Sequence, residues 1–139
     1  MITCQFVRPD KLMFEGEVDH LILVTETGEL GIWPGHSSLI AALGNGMVRL
    51  HLPASEGGDE VHVIVSHGYA EVSNDTVIVL ANHARRSDDI EPEVVQQTKD
   101  NAIASRDALP EGDHGRAYYD DKIAWCDMLL KHASGEHDA

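Results

Sequence analysis

The run Thr27-Gly28-Glu29-Leu30-Gly31-Ile32-Trp33-Pro34-Gly35-His36 decides how the rest of the chain is read. Three glycines and a proline in ten residues predict a shaped connection rather than the interior of a strand or helix. Gly admits positive φ, and Pro34 fixes its own φ and biases Trp33 towards extended backbone. The connection also carries an acid, an indole and an imidazole, so it presents chemistry as well as shape. Binding residues concentrate on such loops when a rigid scaffold holds them. The bland reading is a surface acid, a backbone-satisfied histidine and a tryptophan anchoring the turn in the core.

Working outward, the flanks read as short strands. Upstream, residues 2–7 alternate, residues 13–17 form an extended piece with a glycine turn, and residues 18–24 are apolar on both faces. Downstream, residues 37–43 predict one helical turn or a tight extended corner. Gly44-Asn45-Gly46 predicts a turn, and residues 47–52 alternate cleanly. A loop at 53–59 leads to a valine strand at 60–66, a turn at His67-Gly68, strand 69–72, a turn at Asn74-Asp75 and strand 76–80. The expected fold is therefore β plus α, opening with a flattened sandwich or barrel of about 8–10 short strands.

The period changes at residues 84–89. Glu91-Pro92-Glu93 starts a helix, with proline at the first position and acids near the positive dipole end. This helix runs from 92 to about 108 with a weak stripe of Val95, Ala102 and Leu109. Residues 110–115 break it. A second helix, 116–133, carries the better stripe: Tyr119, Ile123, Cys126 and Leu130, flanked by Trp125 and Leu129. Residues 134–139 are expected to fray. The reading is two domains: a β-sandwich at 1–86 and a helical hairpin with a frayed end at 87–139.

With 139 residues, 42% of them apolar, the chain has material for a core. The net charge of −14, from 24 acids against 10 basic residues, argues against nucleic acid and against direct adhesion to anionic lipid. The acids exceed the basic residues by 6 in the first domain and by 8 in the tail. Two distant cysteines make no disulfide framework, which suits a reducing compartment. No signal peptide is expected, and no apolar run approaches the roughly 20 residues that span a bilayer.

Nine histidines invite a metal hypothesis, but none has zinc spacing, and His62 and His67, five apart on a strand, point to opposite faces. No metal site is expected. Nucleophile elbow, P-loop and dinucleotide fingerprints are absent, and Asp88, Asp89, Glu91 and Glu93 read as a solvated helix start. The expectation is a protein without catalytic residues and without a cofactor.

The run 27–36 resembles the signature of the epsilon subunit of the F-type, proton-translocating ATP synthase. Ser38-Leu39, Gly46-Met47-Val48-Arg49, Gly68-Tyr69-Ala70-Glu71-Val72-Ser73 and Val77-Ile78-Val79-Leu80-Ala81 resemble it in the same order. The resemblance implies a flattened sandwich with a C-terminal hairpin. It implies a central-stalk rotor subunit bound to gamma and the c-ring, held through the complex at the cytoplasmic face of the membrane. It places Gly28, Glu29, Gly31, Trp33, Pro34, Gly35 and His36 on the ring-facing loop. It also implies a tail that lies folded or extends towards the catalytic alpha and beta subunits to oppose ATP hydrolysis, with Tyr119, Ile123, Trp125 and Leu130 as its regulatory residues. A hairpin with one weakly amphipathic helix is marginal by itself, so its two states differ by only a few kcal/mol.

Two departures stand out. Relatives that bind ATP carry Ile/Leu-Asp-x-x-Arg-Ala at the first helix, where this chain has Ile90-Glu91-Pro92-Glu93-Val94-Val95. Val94 takes the arginine's place, so no tight nucleotide site is expected. The second helix is acidic, which predicts weak inhibition. The alternative is a free-standing β-sandwich binding module with a helical dimerisation tail; a small hydrolase or metal enzyme lacks its nucleophile or ligand set.

Overall fold

The structure, a computed structural model, describes residues 1–133, and the fraying expected at 134–139 lies outside the described residues. The chain divides into two compact units, Met1–Asp88 and Asp89–Ala139. The first holds seven strands: β1 Ile2–Arg8, β2 Lys11–Val18, β3 His20–Thr25, β4 Gly28–Ile32, β5 Leu39–His51, β6 Glu60–Ser73 and β7 Thr76–Arg86. They form one sheet in the order β2-β1-β7-β6-β5-β3-β4. Neighbours run antiparallel, except that β1 lies parallel to β7.

The strands are fewer and longer than the sequence suggests because three expected interruptions are bends inside strands. Residues 37–43 supply no helical turn; Leu39 onward is extended and continues through Gly44-Asn45-Gly46. Likewise β6 passes through His67-Gly68. At these points backbones approach too closely for a side chain. A Cβ on Gly44 would stand 2.7 Å from the Thr25 carbonyl oxygen. At Gly68, φ is +132° and a Cβ would overlap the Leu80 carbonyl. Residues 18–24 are likewise not one strand, since the chain breaks at Asp19 between β2 and β3.

Each bend flips the alternation. In β6 the positions that join the sandwich core are Val61, Val63 and Val65 before it, Ala70 and Val72 after it; Ile64 and Ser66 are buried as well but lie outside that core. In β7 the core positions change from Val77, Val79 and Ala81 to Ala84, and in β5 from Leu43 to Val48 and Leu50, with Met47 buried outside that core. A one-residue shift turns a strand over, so each strand keeps an apolar face inward as the sheet curls. Strands that switch layers at bulges are how a single sheet becomes a sandwich. The curl brings Ile2, Cys4, Phe6 and Val18 from one end of the sheet into one core with Leu21, Leu23 and Ile32 from the other. Burial pushes the Cys4 thiol up to about 12, so it behaves as a small apolar side chain.

In the second unit, helix α1 (Pro92–Asp107) and helix α2 (Gly115–Ala133) form the hairpin. Proline opens α1, and the Val95 amide donates to the Glu91 carbonyl at 3.0 Å. Val95 and Ala102 on α1, and Cys126 and Leu129 on α2, are buried. Of the expected α2 stripe, Tyr119, Ile123, Trp125 and Leu130 are half-buried.

Candidate functional site

The run 27–36 proves to be half strand and half loop. Gly28–Ile32 is the edge strand β4, paired along its length with β3 from Thr25↔Gly28 to Leu21↔Ile32. Alternation of Glu29, Leu30 and Ile32 outweighs the glycines, because an edge strand has only one neighbour to satisfy. The turn before it is closed by Thr25, whose hydroxyl donates to the Gly28 carbonyl at 2.6 Å and accepts from the Thr27 amide at 3.2 Å.

Only the stretch after Ile32 is a loop, and it is tied at several points. The Gly35 amide donates to Asp75 Oδ1 at 2.7 Å. Asp75 sits in the tight β6–β7 turn, where Asn74 and Asp75 both have positive φ. The His36 amide donates to the Trp33 carbonyl at 3.1 Å, and His36 Nδ1 lies 2.8 Å from the Ser37 carbonyl. Glu29 is held by Arg49 at 3.1 and 3.2 Å. Trp33 is no core anchor: it is 52% exposed and lies across Gly31, where a Cβ would overlap the indole.

The sequence does not disclose what lies under the indole. Trp33 stacks on His20 with ring centroids 4.7 Å apart and 5° between planes. His20 stacks in turn on His51, at 4.6 Å and 18°. Next comes Glu60, 3.8 Å from His51 and 3.0 Å from His62. The His62 hydrogen bond and charge hold the Glu60 carboxyl below its ordinary range. His51 and His62 look scattered in the sequence; only the registers His20↔His51 and His51↔Glu60 bring them into a row. Among the described residues, no group of three or more histidines, cysteines and acids is arranged to hold a metal ion.

A second feature is the outward face of the sheet. Register places Leu12 beside Val7, Val7 beside Leu80, Leu80 beside Tyr69 and Tyr69 beside Ala42. That is an apolar row across five strands, with Ile78 and Ile40 next to it. Leu12, Tyr69 and Ile40 are exposed. Val7, Arg8, Pro9, Tyr69, Leu80, Ala81 and Asn82 line a shallow depression within it. A contiguous exposed apolar patch of this kind marks a surface that another protein covers.

In the hairpin, Val94 is exposed, so the position expected to lack an arginine faces solvent. The cations nearest to it along the hairpin are engaged. Lys99 Nζ lies 2.6 Å from Asp127, and Arg106 lies 2.9 Å from Asp120. The Arg116 guanidinium donates to the Arg106 and Leu109 carbonyls, each at 2.9 Å. The hydrogen bonds to Asp127 and Asp120 raise the pKa values of Lys99 and Arg106.

Together these features define a class: a β-sandwich with a tied loop and an exposed apolar sheet face, followed by an ion-paired helical hairpin. Residues 1–87 match the family model for the beta-sandwich domain of the ATP synthase delta/epsilon chain. An ATP synthase epsilon chain of Nostoc sp. is 33% identical over 112 residues, covering 81% of this chain and 80% of the relative. One from Desulforamulus reducens is 38% identical over 96 residues, covering 69% and 70%. A chain of the Euglena gracilis mitochondrial ATP synthase shares the fold, with a TM-score of 0.62 at 21% identity, over 94% of this chain and 75% of that one. The chain belongs to the ATP synthase epsilon-chain family. No described helix is long and apolar enough to cross a membrane.

Proposed function

We propose that this chain is a non-catalytic rotor subunit in the central stalk of an F-type ATP synthase, coupling c-ring rotation to ATP synthesis in the catalytic head. It sits peripherally at the cytoplasmic face of the membrane, held there by the complex. The observation that carries this reading is the exposed apolar row Leu12-Val7-Leu80-Tyr69-Ala42 on the family's β-sandwich. A sandwich that transmits torque needs a stiff body and a broad dry contact, and this row supplies the contact for gamma. Edge strand β4 with Glu29, and the tied loop after it with Trp33, Pro34, Gly35 and His36, form the part offered to the c-ring. Its links to Arg49 and Asp75 keep it from yielding under load. The half-buried Tyr119, Ile123, Trp125 and Leu130 hold the hairpin in its folded state, and their release would accompany extension of the tail.

Affinity purification of the tagged chain from solubilised membranes tests this. Gamma and the c-ring are expected with the wild-type chain. Tyr69→Asp puts a charge at the centre of the apolar row, where hot-spot aromatics carry most of the energy, and should reduce gamma recovery about tenfold with an unchanged circular dichroism spectrum. Full gamma recovery by that variant would place the contact elsewhere, and absence of every rotary subunit would overturn the reading.

A further inference from the structure

The stacked histidines have no part in the function above, and their position under the loop gives them one. His20 is half-buried, and its Nδ1 atom is buried without a hydrogen-bond partner, 3.6 Å from the Asp19 carboxylate. One face of the ring covers the Trp33 indole and the other covers His51. The charged groups around the pair within the sheet unit are these: Asp19 at the start of β3, Arg49 on β5, Glu60 and His62 on β6, and Glu29 on β4, which Arg49 pairs with. A carboxylate therefore stands at each end of the pair, Asp19 beside His20 and Glu60 beside His51.

We propose that the Trp33–His20–His51 column is a proton-operated clasp on the loop that follows β4. A proton taken up on His20 places a cation against the face of the indole, the arrangement in which cation–π attraction acts, with the Asp19 carboxylate 3.6 Å away to balance it. The tightened stack holds Trp33 down over Gly31, and with it the backbone that His36 and Gly35 hang from. The loop is thus held more firmly at mildly acidic pH than at alkaline pH. This is a property of the free chain and does not depend on assembly into the rotary complex.

The test uses the full chain with Trp125→Phe, leaving Trp33 as the only tryptophan. Acrylamide quenching of its fluorescence is followed from pH 8 to pH 6, the span over which imidazole takes up its proton. The quenching constant should fall about two-fold across this span, as cation–π closure of the stack shields the indole. The fall should vanish in His20→Gln and persist in His36→Gln, the latter removing the loop's own imidazole. A constant that is flat or rising, a fall that survives His20→Gln, or one lost with His36→Gln overturns the proposal. Should His20→Gln not fold, proton resonances of the unsubstituted chain decide the matter. The Trp33 indole signal should titrate with the His20 ring, and an indole that stays still or follows His36 overturns it.

Discussion

Gly68 shows how much one missing methyl group decides. It is the residue at which β6 turns over, with φ at +132° and no room for a Cβ beside the Leu80 carbonyl. Backbone obstruction is not relieved by rotating a side chain, so the strand or its partner must move. Gly68→Ala should therefore destabilise the β unit by roughly 2 kcal/mol or more, read from the midpoint of urea unfolding. A variant within about 0.5 kcal/mol of wild type would mean that the bend tolerates a side chain there. The neighbouring Tyr69 is the opposite case: 52% exposed, it costs the fold little to change and matters for what the sheet face touches.

At the scale of elements, the sequence announces which residues are strands but hides where strands end. Val61-Val63-Val65 and Val77-Val79-Ala81 display period two and all six join the sandwich core, although Ile64 between the valines is buried as well. The pairs Gly44-Asn45-Gly46 and His67-Gly68 carry turn chemistry, and a sharp bend inside a strand asks for the same small residues as a turn between strands. The change of buried parity, from Val65 to Ala70 and from Leu43 to Val48, separates the two cases: a bend preserves the pairing partner, a turn reverses it. Residues 27–36 mislead for a related reason, since edge-strand β4 tolerates glycine. The helices are plainer, because Pro92 marks the start of α1 and residues 110–115 interrupt both the period and the chain direction. The His20–His51 stack was beyond reach, as the two residues meet only through a register with a shift between Ile22 and Thr25. The hairpin also carries a prediction. Lys99 and Arg106 are committed to Asp127 and Asp120, and the exposed Val94 offers no charge to a phosphate. Titration calorimetry should find an ATP affinity of about 1 mM or weaker, corresponding to about 4 kcal/mol of binding at most. A micromolar constant would require those ion pairs to open for phosphate.

At the scale of the whole molecule, the charge of the tail carries a prediction. The segment after residue 86 holds 13 acids and 5 basic residues, and α2 spends Asp120 and Asp127 on pairing with α1. The family resemblance implies a tail that meets acidic segments of the catalytic subunits, and this one would bring more negative charge to them. Removing residues 88–139 should raise ATP hydrolysis by the assembled enzyme less than about two-fold, a change of under about 0.4 kcal/mol in the barrier. A rise of tenfold or more would show that contacts other than charge hold the tail in place.

The parallel pairing of β1 with β7 also governs how the molecule is made. During synthesis β1 finds its central neighbour only when Thr76–Arg86 has emerged, and at about 5–20 residues per second that takes several seconds. Until then Ile2, Cys4 and Phe6 have no partner strand on that side, and the nascent chain carries an open apolar hairpin. The strands β1 and β2, Ile2–Arg8 and Lys11–Val18, are therefore the part of the sheet unit that waits longest for its core.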